Sequence, residues 1–226
     1  MIFTDKFSRL PLILFTFSFI IFFYGCSSPY EVEDIDGNTY STVKIGNQVW
    51  MAENLKVSKF KNDNPIRQLN NNKTWGTTTD AACCWYDNDA GKVEPYGRLY
   101  NWFAINDARG LAPEGWHIPT EKEIEELITY LKSDTSAAAK LKITGTEYWL
   151  PPNKGANNSS GFSALPGGYR DEDGEFHTLR ANGYWWTETR TYEMFSWSER
   201  IWEGFADVDR DKKYYKFGFS VRCIKD

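Results

Sequence analysis

The stretch PTEKEIEELITYL, residues 119–131, carries the clearest structural signal in the chain. Thr120 followed three residues later by Glu123 forms a capping box, in which each side chain satisfies a free backbone N–H of the other residue. The apolar residues that follow recur at the spacing of one helical face: Ile124, Leu127, Ile128 and Leu131. The sequence therefore predicts an amphipathic helix whose apolar face packs on the rest of the domain.

Short strands are predicted before this helix. Asp36-Gly37 and Gly46-Asn47 are two-residue turn signals flanked by apolar and β-branched residues. They predict strands at Thr39–Ile45 and Gln48–Ala52. Residues 58–82 are polar and predict a long loop that Trp75 anchors.

A second helix is predicted over Tyr96–Asn106, where Leu99, Trp102 and Phe103 follow helical spacing. After residue 143 the pattern again predicts strands and turns, with a hairpin tip at Asp171–Phe176. The later predicted strands are Tyr184–Thr187, Met194–Trp197, Ile201–Val208, Tyr214–Phe217 and Phe219–Ile224. Two helices between β-rich ends favour the α+β class over alternating βαβ units.

The composition excludes several classes of protein. The chain has 226 residues, of which 41% are hydrophobic and 17% aromatic, and these values exclude a disordered chain. Its formal net charge of -5 argues against nucleic acid as a partner, because phosphates require a basic surface. The length and the lack of an internal linker pattern indicate one sizeable domain.

The N-terminal segment indicates export. Lys6 and Arg9 precede an apolar run, Leu10–Gly25, that is shorter than the roughly 20 residues of a membrane-spanning helix. Cys26 follows a small residue, as in a bacterial lipobox, where the cysteine is acylated and becomes the first residue of the mature protein.

The sequence thus predicts a signal peptide at residues 1–25, a lipidated tether at 26–31 and one domain at 32–226. N-terminal acyl chains such as palmitate on Cys26 would hold the protein in a lipid membrane. The alternative is an uncleaved anchor with an incidental cysteine.

Three further cysteines lie in the predicted domain: Cys83, Cys84 and Cys223. Neighbouring cysteines rarely bridge each other, because the intervening peptide must distort. In an oxidising envelope we expect one of the first two to bridge Cys223, with the choice between them open. No Cys and His spacing typical of a metal site is present.

Five motifs occur in order along the predicted domain: IGNQVWMAENL (45–55), YGRLYNW (96–102), LAPEGWHIPT (111–120), LPGGYR (165–170) and GFSVRC (218–223). Together they resemble the Fibrobacter succinogenes major paralogous domain family, whose members are secreted or lipid-anchored proteins of Bacteroidetes and Fibrobacteres without an assigned activity. The resemblance covers essentially the whole mature chain.

That family is in turn similar to the C-type lectin-like superfamily. The similarity implies an α+β C-type lectin-like fold with two helices, a twisted antiparallel sheet, long loops and neighbouring termini. The resemblance also implies that Cys84 pairs with Cys223, since the family's cysteine directly precedes a segment like Trp85–Asp89.

The same superfamily includes the formylglycine-generating enzymes, which use a late pair of reactive cysteines. Cys223 stands alone, so the resemblance implies no such chemistry here. The chain has no Gly-x-Ser-x-Gly motif, and neither His117 nor His177 has an evident nucleophile beside it. We therefore predict no catalytic residues, interpret His117 as a structural histidine, and predict a protein that is not an enzyme.

Two acidic segments are candidates for a calcium site. Asp87 and Asp89 in one, and Asp171 and Asp173 in the other, supply the oxygen ligands that calcium prefers. Neither segment completes an EF-hand loop, and turn formation by Asp and Gly is the favoured interpretation. No cofactor is predicted, with calcium as the alternative.

Aromatic residues near the C-terminal end are candidates for ligand binding. Trp185 and Trp186 are neighbours in a predicted strand and so point to opposite faces of it. One of them, or Trp202, would then offer a flat surface to a sugar ring or a protein partner. The alternative is that both neighbours are buried.

The leading interpretation is a non-catalytic lipoprotein of the cell envelope, anchored in the outer membrane and exposed at the cell surface. Its lectin-like domain would bind a glycan, a polymer or a protein partner in adhesion or surface assembly. The alternatives are an enzyme acting on envelope polysaccharide or protein, and a structural subunit of a surface assembly.

Overall fold

The structure is a computed structural model, and it describes residues 31–132 and 136–226. The predicted signal peptide and the lipidation site Cys26 lie outside these residues. Within them the chain forms thirteen strands and five short α-helices, an α+β architecture in which strands dominate. None of the helices in these two ranges has the length and apolar character needed to cross a bilayer.

The strands are β1 (Glu31–Glu33), β2 (Thr39–Ile45), β3 (Gln48–Met51), β4 (Arg67–Gln68), β5 (Ala82–Cys84), β6 (Leu99–Tyr100), β7 (Trp116–His117), β8 (Tyr169–Arg170), β9 (Phe176–His177), β10 (Asn182–Arg190), β11 (Phe195–Trp202), β12 (Asp209–Tyr214) and β13 (Ile224–Lys225). The α-helices are α1 (Asn72–Thr77), α2 (Val93–Tyr96), α3 (Trp102–Ile105), α4 (Glu121–Leu131) and α5 (Ala137–Leu141). Two short 3₁₀ turns, Tyr86–Asn88 and Ala90–Lys92, precede α2.

The largest sheet has the strand order β1-β2-β3-β13-β7. Ile45 pairs with Gln48 across the two-residue turn at Gly46 and Asn47, as the turn signal predicts. The predicted strand at Thr39–Ile45 is confirmed, and β3 ends one residue before the predicted Ala52. Because β13 pairs with both β3 and β7, the C-terminal segment lies in the middle of the N-terminal sheet.

A second sheet has the order β10-β11-β12. The predicted strand at Ile201–Val208 is wrong, because β11 ends at Trp202 and the chain turns there before β12 begins. The predicted hairpin tip at Asp171–Phe176 is confirmed by the pairing of β8 with β9.

Helix α4 begins as the sequence predicts. The Thr120 side chain accepts a hydrogen bond from the Glu123 backbone N–H, and the Glu123 carboxylate accepts one from the Thr120 backbone N–H. Ile124, Leu127 and Leu131 are buried on its inner face. Burial of this face stabilises the helix far more than its intrinsic propensity does.

The helix predicted over Tyr96–Asn106 is largely wrong. Leu99 and Tyr100 form β6, which pairs with Cys84 and Cys83 of β5. The side chain of Asn101 then caps the one-turn helix α3, accepting a hydrogen bond from Ala104 N at 3.1 Å. Strand pairing with a distant segment overrides the local helical pattern here.

Two large apolar clusters form the core, and β10 lies between them. One cluster contains Trp186 and the other contains Trp185, because neighbouring side chains of a strand point to opposite faces. Helix α4 and Trp50 belong to the Trp185 cluster. A third, smaller cluster surrounds Trp75, which is fully buried and so anchors the predicted loop.

Cys83, Cys84 and Cys223 are buried free thiols, so neither the predicted Cys84–Cys223 disulfide nor the alternative Cys83–Cys223 disulfide is formed in this structure. Cys83 and Cys84 are neighbours in β5 and point to opposite sides of it. Cys84 lies in the Trp75 cluster, whereas Cys223 lies with Cys83 in the Trp186 cluster. The prediction fails because the strand turns Cys84 away from Cys223.

Candidate functional site

A cleft of about 510 Å³ lies at the C-terminal end of α4, and we call it the Tyr130 cleft. It is lined by Lys44, Ile45, Gly46, Tyr130, Leu131, Lys140, Ser159 and Ser160. The Tyr130 side chain is 59% exposed. A Cβ atom at Gly46 would lie 3.1 Å from Cδ2 of the Tyr130 ring, so the ring packs against the backbone of the β2–β3 turn. The turn thus supports one part of the ring, and much of the rest is open to solvent.

Polar groups stand beside this ring. Lys44 is exposed and makes no ion pair within the described ranges. The Ser160 hydroxyl donates a hydrogen bond to the Lys140 carbonyl at 2.7 Å, which fixes the loop that carries exposed Ser159. The cleft therefore combines a supported aromatic surface with an ammonium group and hydroxyl groups.

A second cleft, of about 270 Å³, lies near the N-terminal end of α4, and we call it the His117 cleft. It is lined by Lys61, Ile105, Asn106, Asp107, Gly110, Leu111, Ala112, Trp116, His117, Ile118 and Glu188. His117 belongs to β7, and Glu188 lies near the end of β10.

The His117 imidazole joins three elements. Its Nε2 atom lies 2.9 Å from Glu123 Oε1 in α4, and its Nδ1 atom lies 2.7 Å from Asp226 Oδ1, directly after β13. Burial alone would lower the pKa of His117, but the hydrogen bonds to Asp226 and Glu123 raise it above its ordinary value. These contacts agree with the interpretation of His117 as a structural histidine.

An ionic bridge holds the start of α4 to the second sheet. Arg210 of β12 donates to Glu199 Oε1 at 3.0 Å and to Glu121 Oε1 at 2.8 Å. Glu199 is only 4% exposed, and burial raises its pKa to about 7 against the lowering effect of Arg210. The carboxyl group of Glu188, in the His117 cleft, also has its pKa raised by burial.

Asn54, in the first motif, is a fully buried junction. Its Oδ1 atom accepts hydrogen bonds from Trp185 Nε1 at 2.9 Å and from Arg222 Nη2 at 2.8 Å. Its Nδ2 atom donates to the Tyr96 carbonyl at 2.8 Å. One amide side chain thus connects the first, second and fifth motifs.

Arg170 and Arg222, in the fourth and fifth motifs, also contact the protein interior. Arg222 donates to the Phe162 carbonyl, and its guanidinium lies 4.2 Å from the centre of the Phe162 ring. Burial lowers the pKa of Arg222 to about 9. Arg170 lies against the rings of Trp75 and Phe176, at 4.6 Å and 4.7 Å from their centres.

A model of one protein family, the Fibrobacter succinogenes major domain, matches residues 43–225. All five motifs fall in that range. The chain belongs to this family. No curated protein and no solved structure is significantly similar to it.

In this Fibrobacter succinogenes major domain, the tryptophans predicted to bind a ligand do not form an open surface. Trp185 is 6% exposed and Trp186 is 0% exposed, so the alternative that both are buried is correct. The physical reason is that β10 is covered on both faces. Trp202 is partly exposed, but its ring lies 4.2 Å from the Arg200 guanidinium and 4.5 Å from the Phe205 ring.

The aspartates considered for calcium serve as turn residues. Asp171 Oδ1 accepts hydrogen bonds from the backbone N–H groups of Asp173 and Glu175, and Asp171 Oδ2 contacts His177 Nε2 at 2.6 Å. Asp89 Oδ1 accepts one from Gly91 N at 2.9 Å, and Asp87 adopts a positive φ. Among the residues that the structure describes, no group of three His, Cys, Asp or Glu side chains could hold a metal ion.

Sequence reasoning missed Tyr130, which lies outside all five motifs. It lies directly before the buried Leu131 in α4, but its side chain falls on the outer side of the helix. On a helical wheel that starts at Thr120, Tyr130 lies beside polar residues. This position was the sequence signal that could have identified Tyr130 as exposed. The sequence could not show that the β2–β3 turn lies under the ring.

Proposed function

We propose that the protein is a non-catalytic lipoprotein of the cell envelope whose domain binds a glycan at the Tyr130 cleft. The observation that carries this proposal is the exposed Tyr130 ring, supported by the Gly46 backbone and flanked by Lys44 and Ser159. The family match identifies the domain as a Fibrobacter succinogenes major domain. That the ligand is a glycan is our inference.

The chemistry of the cleft suits a carbohydrate. A sugar ring presents a face of C–H groups that packs on an aromatic ring, while its hydroxyl groups exchange hydrogen bonds with polar side chains at the edge. The Tyr130 ring is already supported, so little conformational freedom is lost on binding. The exposed ammonium of Lys44 favours a glycan that carries carboxylate groups.

The proposal that the domain is not an enzyme rests on how its motif side chains are used. Asn54, Arg170 and Arg222 bind backbone carbonyls and other buried side chains, and His117 ties β7 to α4. Most of their polar groups are occupied in holding the fold, and Arg222 Nε is a buried nitrogen without a hydrogen-bond partner among the described residues. The proposed binding role is motivated by the resemblance of the sequence motifs to C-type lectin-like proteins.

The proposed anchor is an acylated Cys26. Five peptide steps separate Cys26 from Glu31 in β1, and five residues reach at most about 18 Å. The domain would therefore remain close to the outer membrane and expose its clefts at the surface. We expect labelled palmitate to enter the chain and Cys26→Ala to abolish both labelling and membrane attachment; an unlabelled wild type would refute the anchor.

Binding is tested on a printed panel of neutral and uronic-acid oligosaccharides. For the glycan that binds the wild type, we expect Tyr130→Ala to weaken affinity roughly tenfold, which corresponds to about 1.4 kcal/mol. Tyr130→Phe keeps the ring and retains most of the affinity. Tyr192→Ala is the matched control, since Tyr192 is 71% exposed and lies outside the cleft. Equal losses for Tyr130→Ala and Tyr192→Ala, or no bound glycan, would contradict the proposal.

A further inference from the structure

The His117 imidazole has a carboxylate oxygen at each of its two nitrogens. Nδ1 lies 2.7 Å from Asp226 Oδ1, and Nε2 lies 2.9 Å from Glu123 Oε1. An ionised carboxylate only accepts hydrogen bonds, and a neutral imidazole carries a single N–H. Both contacts can therefore be made together only when the imidazole is protonated.

The two carboxylates are held with different strength. Glu123 Oε2 also accepts hydrogen bonds from the Thr120 backbone N–H and hydroxyl, both at 2.8 Å. The Asp226 side chain is 60% exposed, and His117 is its one hydrogen-bond partner among the described residues. When the imidazole loses its proton, we therefore expect the Asp226 contact to break and the Glu123 contact to remain.

The Asp226 contact closes the end of β13 onto β7. Lys225 pairs with Trp116, and Asp226 N donates to the Gly115 carbonyl at 3.1 Å. Only two residues of β13 take part in this pairing. The His117–Asp226 contact therefore contributes substantially to holding the end of β13 against β7. The released segment would lie beside the His117 cleft.

We propose that His117 is a proton-operated latch, which fastens the end of β13 to the start of α4 when protonated and releases it when neutral. The other charged groups around the latch come from several elements: Glu188 after the buried part of β10, Lys61 and Asp107 across the cleft, and the Glu121–Arg210 pair at the start of α4. Glu188 interacts electrostatically with His117 and favours the protonated imidazole.

The direction of the pH effect follows from the contacts. The partners of His117 hold its pKa above the ordinary value, although burial acts in the opposite sense. The latch therefore stabilises the folded state in acid, and this stabilisation is lost as the pH rises through the folded-state pKa of His117. At higher pH the end of β13 opens while the core stays folded.

The latch is tested on the full-length chain by following the His117 ring nitrogens and the backbone amide exchange of Lys225 and Asp226 by NMR between pH 5 and 9. In the wild type we expect both nitrogens to carry protons in acid. The protection factors of these two amides should fall at the pH where His117 titrates. Asp226→Asn should lower the His117 midpoint by roughly one pH unit, because the ionised acceptor is lost.

Asp107→Asn is the matched control, since Asp107 lies in the same cleft without contacting His117. It should leave the midpoint almost unchanged. Folding is not at risk in Asp226→Asn, because this side chain is mostly exposed. A midpoint that does not move in Asp226→Asn, or amide protection that stays constant through the His117 titration, would overturn the proposal.

Discussion

The two ends of α4 are built differently. At the N-terminal end, Glu121 and Glu123 are tied to Arg210 and His117, and Thr120 completes the capping box. At the C-terminal end, Tyr130 is exposed and opens onto a cleft. The comparison shows that a helix fixed by ionic contacts at one end can leave a large side chain exposed at the other.

The middle of the helix connects these two ends. Ile124, Leu127 and Leu131 are buried in the Trp185 cluster, so the helix is held along its whole length. Because α4 is packed in this way, the position of Tyr130 is set by the core. The N-terminal contacts should therefore dominate stability, and the C-terminal ring should dominate binding.

The largest expected effect on stability is at the N-terminal end of α4. Glu123→Ala removes half of the capping box and one carboxylate partner of His117, so we expect the free energy of unfolding to fall by about 2 kcal/mol. Glu125→Ala, an exposed position in the same helix, is the control and should change it by less than about 0.5 kcal/mol. Urea unfolding measures the free energy of unfolding of both variants. Similar losses in the two would show that the contacts of Glu123 do not make the N-terminal end of α4 the more stabilising one.

A smaller, pH-dependent effect is expected at the Arg210 bridge. Burial raises the pKa of Glu199 to about 7, whereas the pKa of an unfolded glutamate is about 4.3. The folded state thus binds this proton more tightly, so stability falls as the pH rises from about 4 to about 7 and then levels off. Glu199→Gln should reduce the loss between pH 5 and pH 8 by an amount on the order of 1 kcal/mol.

Urea unfolding at the two pH values measures this difference. Glu125→Gln controls for the loss of a carboxyl group at an exposed position and should keep the wild-type pH dependence. If Glu199→Gln also keeps the wild-type pH dependence, then protonation of Glu199 in the Arg210 bridge is not the cause of that dependence.

The smallest effect on stability is expected at the binding end. Tyr130→Ala removes a ring that is 59% exposed, so the free energy of unfolding should change by less than about 0.5 kcal/mol. Thermal unfolding of the variant beside the wild type measures this. A loss comparable to that of Glu123→Ala would show that Tyr130 is a structural residue and would weaken its proposed role as a glycan platform.

Elements coded by neighbouring residues are predicted correctly from the sequence. The capping box, the apolar face of α4 and the turn at Gly46 and Asn47 all depend on residues a few positions apart. The segment Tyr96–Asn106 is predicted wrongly because its structure depends on β5, which pairs with it from a distant part of the sequence. Local patterns carry no information about such a partner.

The site residues also divide into those whose role follows from nearby residues and those whose role depends on distant segments. His117 is recognisable as structural from its place before the capping box, and Trp75 as an anchor from its isolation in a polar loop. Trp185 and Trp186 could not be assigned, because an alternating pattern shows that they face opposite ways and does not show that both faces are covered.

The amino-acid sequence alone determined the family and the start of α4 and predicts the export signal, since each depends on residue identities at short spacing. The tertiary structure alone decided which aromatic rings are buried, which cysteines lie together and that Tyr130 stands over Gly46. These outcomes depend on how separate segments pack against each other, and packing is set by the shape of the whole chain and not by the spacing within any one segment.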